Sequence, residues 1–160
     1  MDEALTRILV SGVVAEIRPG PTIAAMALRS RLLNAQTQRR AARNARHHYD
    51  IGNDLYARML DRRMVYSCAY WNDVDDLATA QEAKLDLICR KLRLEPGMRV
   101  LDIGCGWGGF LDYASRIYGV TGVGISPAVN QVDIARERCR DLPVTIEQAD
   151  YRTVTGSFDR

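Results

Sequence analysis

In the second half of the chain, short apolar runs alternate with segments of helical period. Arg99–Ile103 (RVLDI), Val120–Ile125 (VTGVGI) and Val144–Gln148 (VTIEQ) each read as a strand rich in β-branched residues. Between the first two, Phe110–Tyr118 has helical spacing and stops at Gly119, a residue suited to the left-handed position after a helix. Between the second and third, Ser126 is the expected N-cap, Pro127 the first helical residue, and the helix is expected to end near Arg140. Strands alternating with helices predict βαβ units, hence a parallel sheet with right-handed crossovers. Phe158 reads as the start of a fourth strand, so the sheet is expected to be incomplete within this chain.

The first half is less regular. Residues 1–20 look strand-like and end in the breaker PGP, and residues 22–46, free of Gly and Pro, read as helix. The aromatic-dense stretch HHYDIGNDLYARMLDRRMVYSCAYWNDVDD predicts short helices and loops. Thr79 and Glu82 fit a capping box opening a helix whose buried stripe is Leu85, Ile88 and Leu92. Pro96 and Gly97 then turn the chain into the first strand.

Charge is distributed unevenly. Residues 1–46 hold eight arginines against three acidic residues, while the remainder is slightly acidic. Arg39, Arg43 and Arg46 fall on one helical face. They form either a solvated surface or a basic arm for an anionic partner, lipid headgroups or nucleic acid. The four cysteines have no zinc-type spacing, and free thiols fit a reducing cytosol. His47 and His48 are adjacent, a poor arrangement for a metal, and none is expected. The apolar patch ILVSGVVA is too short to span a bilayer, and the segment does not read as a signal peptide.

The candidate chemistry lies in VLDIGCGWGGF, Val100–Phe110, where a strand breaks into glycines and opens a helix. Gly104, Gly106 and Gly109 fit the dinucleotide spacing G-x-G-x-x-G. Gly104, Gly106 and Gly108 equally fit the G-x-G-x-G loop of S-adenosylmethionine enzymes, and the loop alone does not choose. A nicotinamide site wants an acid at the end of the second strand to hold the ribose. That strand ends VGIS, and the next acid, Asp133, falls inside the helix, which argues against a dinucleotide. Many methyltransferases also use an acid there, and Gln131 can substitute through its amide. Asp102 ends the first strand. Asp150 is placed to accept a hydrogen bond from an exocyclic adenine amine, with Tyr151 to stack on or flank the ring. The absence of G-K-[ST] excludes a P-loop.

HHYDIGNDLY, MVYSCAYW, LEPGMRVLDIGCGWGGF and QADYR closely resemble the cyclopropane-fatty-acyl-phospholipid synthases and the related mycolic acid methyltransferases, over roughly Arg39–Arg160. The resemblance implies an α/β, Rossmann-like class I S-adenosylmethionine-dependent methyltransferase sheet. It is expected to be truncated here after about three strands and preceded by a small helical N-terminal region. The implied parts are a basic arm (1–46), a helical lid and substrate-pocket segment (47–97) and part of the cofactor domain (98–160). The family's strand order is 3-2-1-4-5-7-6. Its reaction methylates a cis double bond of a lipid acyl chain and closes a cyclopropane ring.

By the same resemblance, Tyr66 and Ser67 touch the methionine end of S-adenosylmethionine. Val100–Gly108, including Cys105, form the glycine loop, and Ser126–Gln131 the ribose turn. Tyr151 and Arg152 flank adenine, and Cys68, the implied catalytic-site residue, lines the pocket of a bicarbonate base. Where the family usually has Thr-Leu-Ser, this chain has Ser126, Pro127 and Ala128, and Pro127 removes a backbone donor. The implied partners are unsaturated phospholipid acyl chains and an anionic membrane surface. The implied location is cytoplasmic, peripheral at the inner membrane face, with homo-oligomerisation left open. The other bicarbonate ligands, a Glu, a His and a Tyr, belong to later strands, so this stretch alone is expected to be inactive. Two further readings are a non-catalytic module binding cofactor or membrane and an RNA methyltransferase. YSCAYW argues against the latter.

Overall fold

A computed structural model describes residues 20–32 and 52–160. The chain divides into two compact units, Met1–Thr37 and Gln38–Arg160. In the first, helix α1 (Pro21–Leu32) begins on a proline, where the missing N–H costs nothing. The strand expected before it and the arginine face Arg39, Arg43 and Arg46 lie outside the described residues.

The second unit holds α2 (Asn53–Met59), α3 (Leu77–Leu92), β1 (Arg99–Ile103), α4 (Gly109–Tyr118), β2 (Thr121–Ser126), α5 (Val129–Arg138), β3 (Val144–Gln148) and a 3₁₀ turn, Tyr151–Thr153. The strands form one parallel sheet in the order β1-β2-β3, with Val100 opposite Gly122 and Gly124 opposite Ile146. The βαβ expectation holds, and β1 and β3 have the bounds read from the sequence. On the other side of β1, the Asp159 N–H donates to the Arg99 carbonyl at 2.8 Å and the Leu101 N–H to the Arg160 carbonyl at 2.9 Å. Phe158–Arg160 thus lies along β1 with ladder-type bonds, short of a strand.

The core explains the glycines of β2. Leu111 of α4 is fully buried, and a Cβ at Gly122 or Gly124 would come within 2.8 or 2.7 Å of its methyl carbons. Val100, Leu85, Cys89, Val120, Val132 and Ile146 belong to the same cluster. The helix α4 ends as expected on Gly119, at φ 67°.

Two helix starts differ from the sequence reading. The N-cap of α3 is Asp76, whose carboxylate accepts the Thr79 N–H at 2.9 Å. A carboxylate three residues upstream takes the orphan N–H that the expected Thr79–Glu82 box leaves open. Glu82 instead pairs with Arg62 and Arg63, which hold its carboxyl below its ordinary range. The start of α5 also moves: Ala128 is the N-cap, and Ser126 is the last residue of β2. The Ser126 hydroxyl accepts from Ala128 N at 3.2 Å and donates to Gln131 Oε1 at 3.0 Å. The buried face of α3 is also shifted, with Leu85 buried, Ile88 and Leu92 only half-buried, and Ala80, Gln81 and Cys89 buried beside them.

Gly109 is the tightest point between α4 and the chain before it. A Cβ there would sit 2.7 Å from the Arg63 carbonyl oxygen, which is backbone and cannot rotate away. Gly109→Ala is therefore expected to cost about 1–3 kcal/mol. Denaturant unfolding of the intact protein measures this, and unchanged stability would show that the contact is soft.

Candidate functional site

In a parallel sheet, the carboxyl ends of the strands share one edge, where ligands bind in open α/β folds. Here the glycine turn leaves β1 at that edge. Gly104, Gly106 and Gly108 have φ of 81°, 55° and 79°, whereas Gly109 has no positive φ. The backbone therefore follows the G-x-G-x-G spacing, and Gly109 is glycine for packing. Only glycine enters this region without steric cost. The Gly104 and Cys105 N–H groups both donate to the Ile125 carbonyl, at 2.9 and 3.0 Å, hanging the turn over the end of β2.

The turn borders a cavity of about 330 Å³, lined by residues 64–67, Gly104, Cys105, Gly106, Trp107, Gly109, Phe110, Ser126, Pro127 and Gln131. Nothing lies within 4 Å of a Cβ built on Gly104 or Gly106, so two side chains are missing where space is open. Gly108 instead packs against α5, where a Cβ would meet Ala135 at 3.1 Å. Ser126 and Gln131 are both buried. Ser126 occupies the amide oxygen of Gln131, and the amide nitrogen has no partner among the described residues.

The opposite wall is the segment Asp61–Ser67. Buried Asp61 accepts the N–H groups of Arg63 at 3.0 Å and Val65 at 2.8 Å. That turn holds Met64 in a left-handed conformation, φ 53°, which ordinarily costs about 1–2 kcal/mol. Arg138 of α5 ties this wall to the glycine turn, donating to the Trp107 carbonyl at 2.8 Å and the Arg62 carbonyl at 3.1 Å. An aromatic cluster closes that side. Tyr56 of α2 lies 5.2 Å from Tyr66 and 4.9 Å from Trp107, and the Trp107 indole N–H donates to Asn53 at 3.0 Å.

Of the residues singled out from sequence, Tyr66, Ser67, Gly104, Cys105, Gly106, Ser126 and Gln131 come together around this cavity. Asp102, Gly108, Cys68, Asp150, Tyr151 and Arg152 are not among its lining. Cys68 is exposed, one residue beyond the wall. Tyr151 and Arg152 are exposed after β3, on the same sheet edge, with the Arg152 guanidinium 5.6 Å from the Tyr151 ring. Asp150 is already paired within the chain. Arg152 engages both its oxygens, at 2.7 and 2.5 Å, and pulls its pKa to about 2. An adenine amine reaches Asp150 only if it shares or displaces that pair. The sequence reading included Trp107 and Pro127 only within the glycine-loop and ribose-turn segments, and it missed Met64, Val65 and Phe110 as lining and Asn53, Asp61 and Arg138 as supports. Trp107 and Phe110 lay inside the glycine motif itself. Asn53 and Arg138 act through contacts distant in sequence, and Asp61 through backbone N–H groups.

The three parallel strands with their crossovers and this glycine turn define the Rossmann-like fold of the class I methyltransferases. The family model described as "Mycolic acid cyclopropane synthetase" matches residues 36–160, and the chain belongs to that family. The cyclopropane-fatty-acyl-phospholipid synthase of Escherichia coli (strain K12) is 54% identical over 131 residues, covering 82% of this chain and 34% of that protein. The S-adenosylmethionine-dependent methyltransferase UmaA of Mycobacterium tuberculosis is 44% identical over 117 residues, covering 70% of this chain and 41% of that one. Among solved structures, the mycolic acid cyclopropane synthase CmaA1 complexed with SAH and CTAB matches at TM-score 0.70 and 34% identity, over 73% of this chain and 43% of that one. The cyclopropane synthase MmaA2 from Mycobacterium tuberculosis matches at TM-score 0.69 and 32% identity, with the same coverages. The chain thus spans about a third of the length of the Escherichia coli relative.

Asp102 stands apart electrostatically. It is half-buried, its carboxylate has no hydrogen-bond partner among the described residues, and burial pushes its pKa up to about 6 from 3.8. Because the folded state holds this proton more tightly than the unfolded chain, the group favours folding at low pH. It loses that contribution as pH rises, and the cost is complete above about 6. Asp102→Asn removes the cost. Its thermal stability without ligand is expected to match wild type near pH 4 and exceed it near pH 7, by up to about 3 kcal/mol. Parallel pH profiles for the two proteins would contradict the burial argument.

Proposed function

We propose that this chain is the cofactor-binding part of an enzyme that methylates a cis double bond in a phospholipid acyl chain and closes a cyclopropane ring, using S-adenosylmethionine. The observation that carries this reading is the cavity between the G-x-G-x-G turn and the Tyr66–Ser67 wall, lined also by Gln131, whose amide nitrogen has no partner among the described residues. Open space at Gly104 and Gly106 lets a ligand approach main chain closely. A carboxamide donor suits ribose hydroxyls, and the end of β2 has no acid to do that work. The family membership and the SAH-bound relative support the same cofactor.

In this reading Gly104, Cys105 and Gly106 cradle the cofactor, and Asp102 supplies a negative group beneath the turn. Ser126 and Gln131 hold the ribose, and Tyr66 and Ser67 the methionine end. Asp150, Tyr151 and Arg152 border adenine. S-Adenosylmethionine supplies an electrophilic methyl group when bound. An alkene is a weak nucleophile and carries no proton whose removal would activate it. The protein must therefore align the two carbons and exclude water. Aromatic faces such as Tyr66 stabilise positive charge on the lipid. A base then takes a proton from the added methyl as the ring closes. Bicarbonate held near Cys68 would supply that base; Cys68 itself is exposed, one residue beyond the cavity lining. Arg39, Arg43 and Arg46 are proposed to hold the protein at an anionic membrane surface. No helix among the described residues is long and apolar enough to cross a membrane.

The test uses the intact protein, S-adenosylmethionine and vesicles of cis-monounsaturated or fully saturated phospholipid. Mass spectrometry is expected to show the unsaturated acyl chain gaining one methylene, with no change in the saturated lipid. Methyl transfer to a nitrogen or oxygen acceptor, with the unsaturated lipid untouched, would reject the substrate assignment.

A further inference from the structure

Two side chains of α3, one turn apart, grip the cavity wall from behind. Gln81, buried, donates through Nε2 to the Ser67 carbonyl at 2.9 Å and the Val65 carbonyl at 3.2 Å. Lys84 donates through Nζ to the Ser67 hydroxyl oxygen at 2.8 Å. Neither side chain lines the cavity. Their geometry fixes which groups of the wall remain available. All peptides are trans among the described residues, so each N–H points opposite to the carbonyl before it. Drawing the carbonyls of Val65 and Ser67 toward α3 turns the N–H groups of Tyr66 and Cys68 away from it. Neither N–H has an acceptor among the described residues. Lys84 can only donate, so Ser67 accepts from it and keeps its own hydroxyl proton to give elsewhere. This part of the wall thus offers the N–H groups of Tyr66 and Cys68 and the Ser67 hydroxyl as donors, with the carbonyls of Val65 and Ser67 turned to the rear.

The amide oxygen of Gln81 is itself buried without a partner among the described residues. A buried orphan acceptor costs stability and calls for an explanation. A hydrophobic residue would avoid that cost at this position, but it would release both carbonyls. We infer that Gln81 and Lys84 are positioning residues: they orient the main chain of Tyr66–Cys68 and the Ser67 hydroxyl so that this end of the cavity takes a carboxylate, the amino-acid end of the cofactor. The inference rests on the proposed S-adenosylmethionine site and adds two residues to it that touch no ligand.

The experiment compares two probes by calorimetry on the intact protein. S-Adenosylhomocysteine carries the amino-acid end, and 5′-methylthioadenosine shares the nucleoside but lacks it. Gln81→Met is expected to weaken S-adenosylhomocysteine roughly tenfold while leaving 5′-methylthioadenosine within about twofold. Lys84→Met is expected to act in the same direction and Lys84→Arg to retain wild-type preference. The lysine pair decides the matter if Gln81→Met does not fold. Equal losses for both probes, or none for either, would overturn the inference while leaving the cofactor assignment intact. Wild-type protein that binds neither probe would overturn both.

Discussion

The organisation of the second unit depends on one carbonyl. Ile125, near the end of β2, accepts the N–H groups of both Gly104 and Cys105, so the chain leaving β1 must pass over the tip of its neighbour. Reversing there without side-chain clashes demands positive φ at Gly104, Gly106 and Gly108. From that one reversal the rest follows. Gly108 delivers the start of α4 close enough to α5 to touch Ala135, and Gly109 brings it against the Arg63 carbonyl. The wall Asp61–Ser67 is therefore held across from the glycines, and the space between them is the cavity.

That wall has its own logic. Among the described residues it has no strand partner, and apart from the Met64 N–H to Asp61 carbonyl bond its order comes from side chains reaching its main chain. Asp61 takes two N–H groups, Gln81 supplies donors to two carbonyls, and Arg138 reaches the Arg62 carbonyl from α5. Satisfying a loop in this way leaves its unpaired groups pointing in a chosen direction. In a cavity, direction sets the sign of charge that a ligand can place there.

What was legible in the sequence follows from the range of the interactions. The strands and α4 announced themselves through alternation, β-branched residues and Gly119, all local signals. The glycine turn was legible as a motif, but Gly108 and Gly109 are neighbours, and only backbone angles separate the two spacings. Asp76 was missed because a capping box was sought three residues too late. Ser126 was read as a cap when its hydroxyl links the end of β2 to Gln131. Asp150 was read as placed to accept from an adenine amine, and its pairing with Arg152, two residues on, was not foreseen. The supports Asn53, Asp61, Gln81 and Arg138 left no pattern, since each acts on residues distant in sequence or through backbone groups that carry no sequence identity. The resemblance carried by YSCAYW and DIGCGWGG supplied what periodicity lacked: it paired the wall with the glycine turn before any geometry was known.

The central claim is that the G-x-G-x-G turn and the Tyr66–Ser67 wall form one site for S-adenosylmethionine. The most direct measurement is calorimetric titration of the intact protein with S-adenosylhomocysteine and with NAD, repeated on Gly106→Val, whose branched side chain would enter the open space at the turn. The account predicts S-adenosylhomocysteine binding by wild type, none by the variant, which also loses about 1–2 kcal/mol of stability to the positive φ at residue 106, and no NAD binding by either. Undiminished S-adenosylhomocysteine binding by the variant, or preferential NAD binding by wild type, would contradict it.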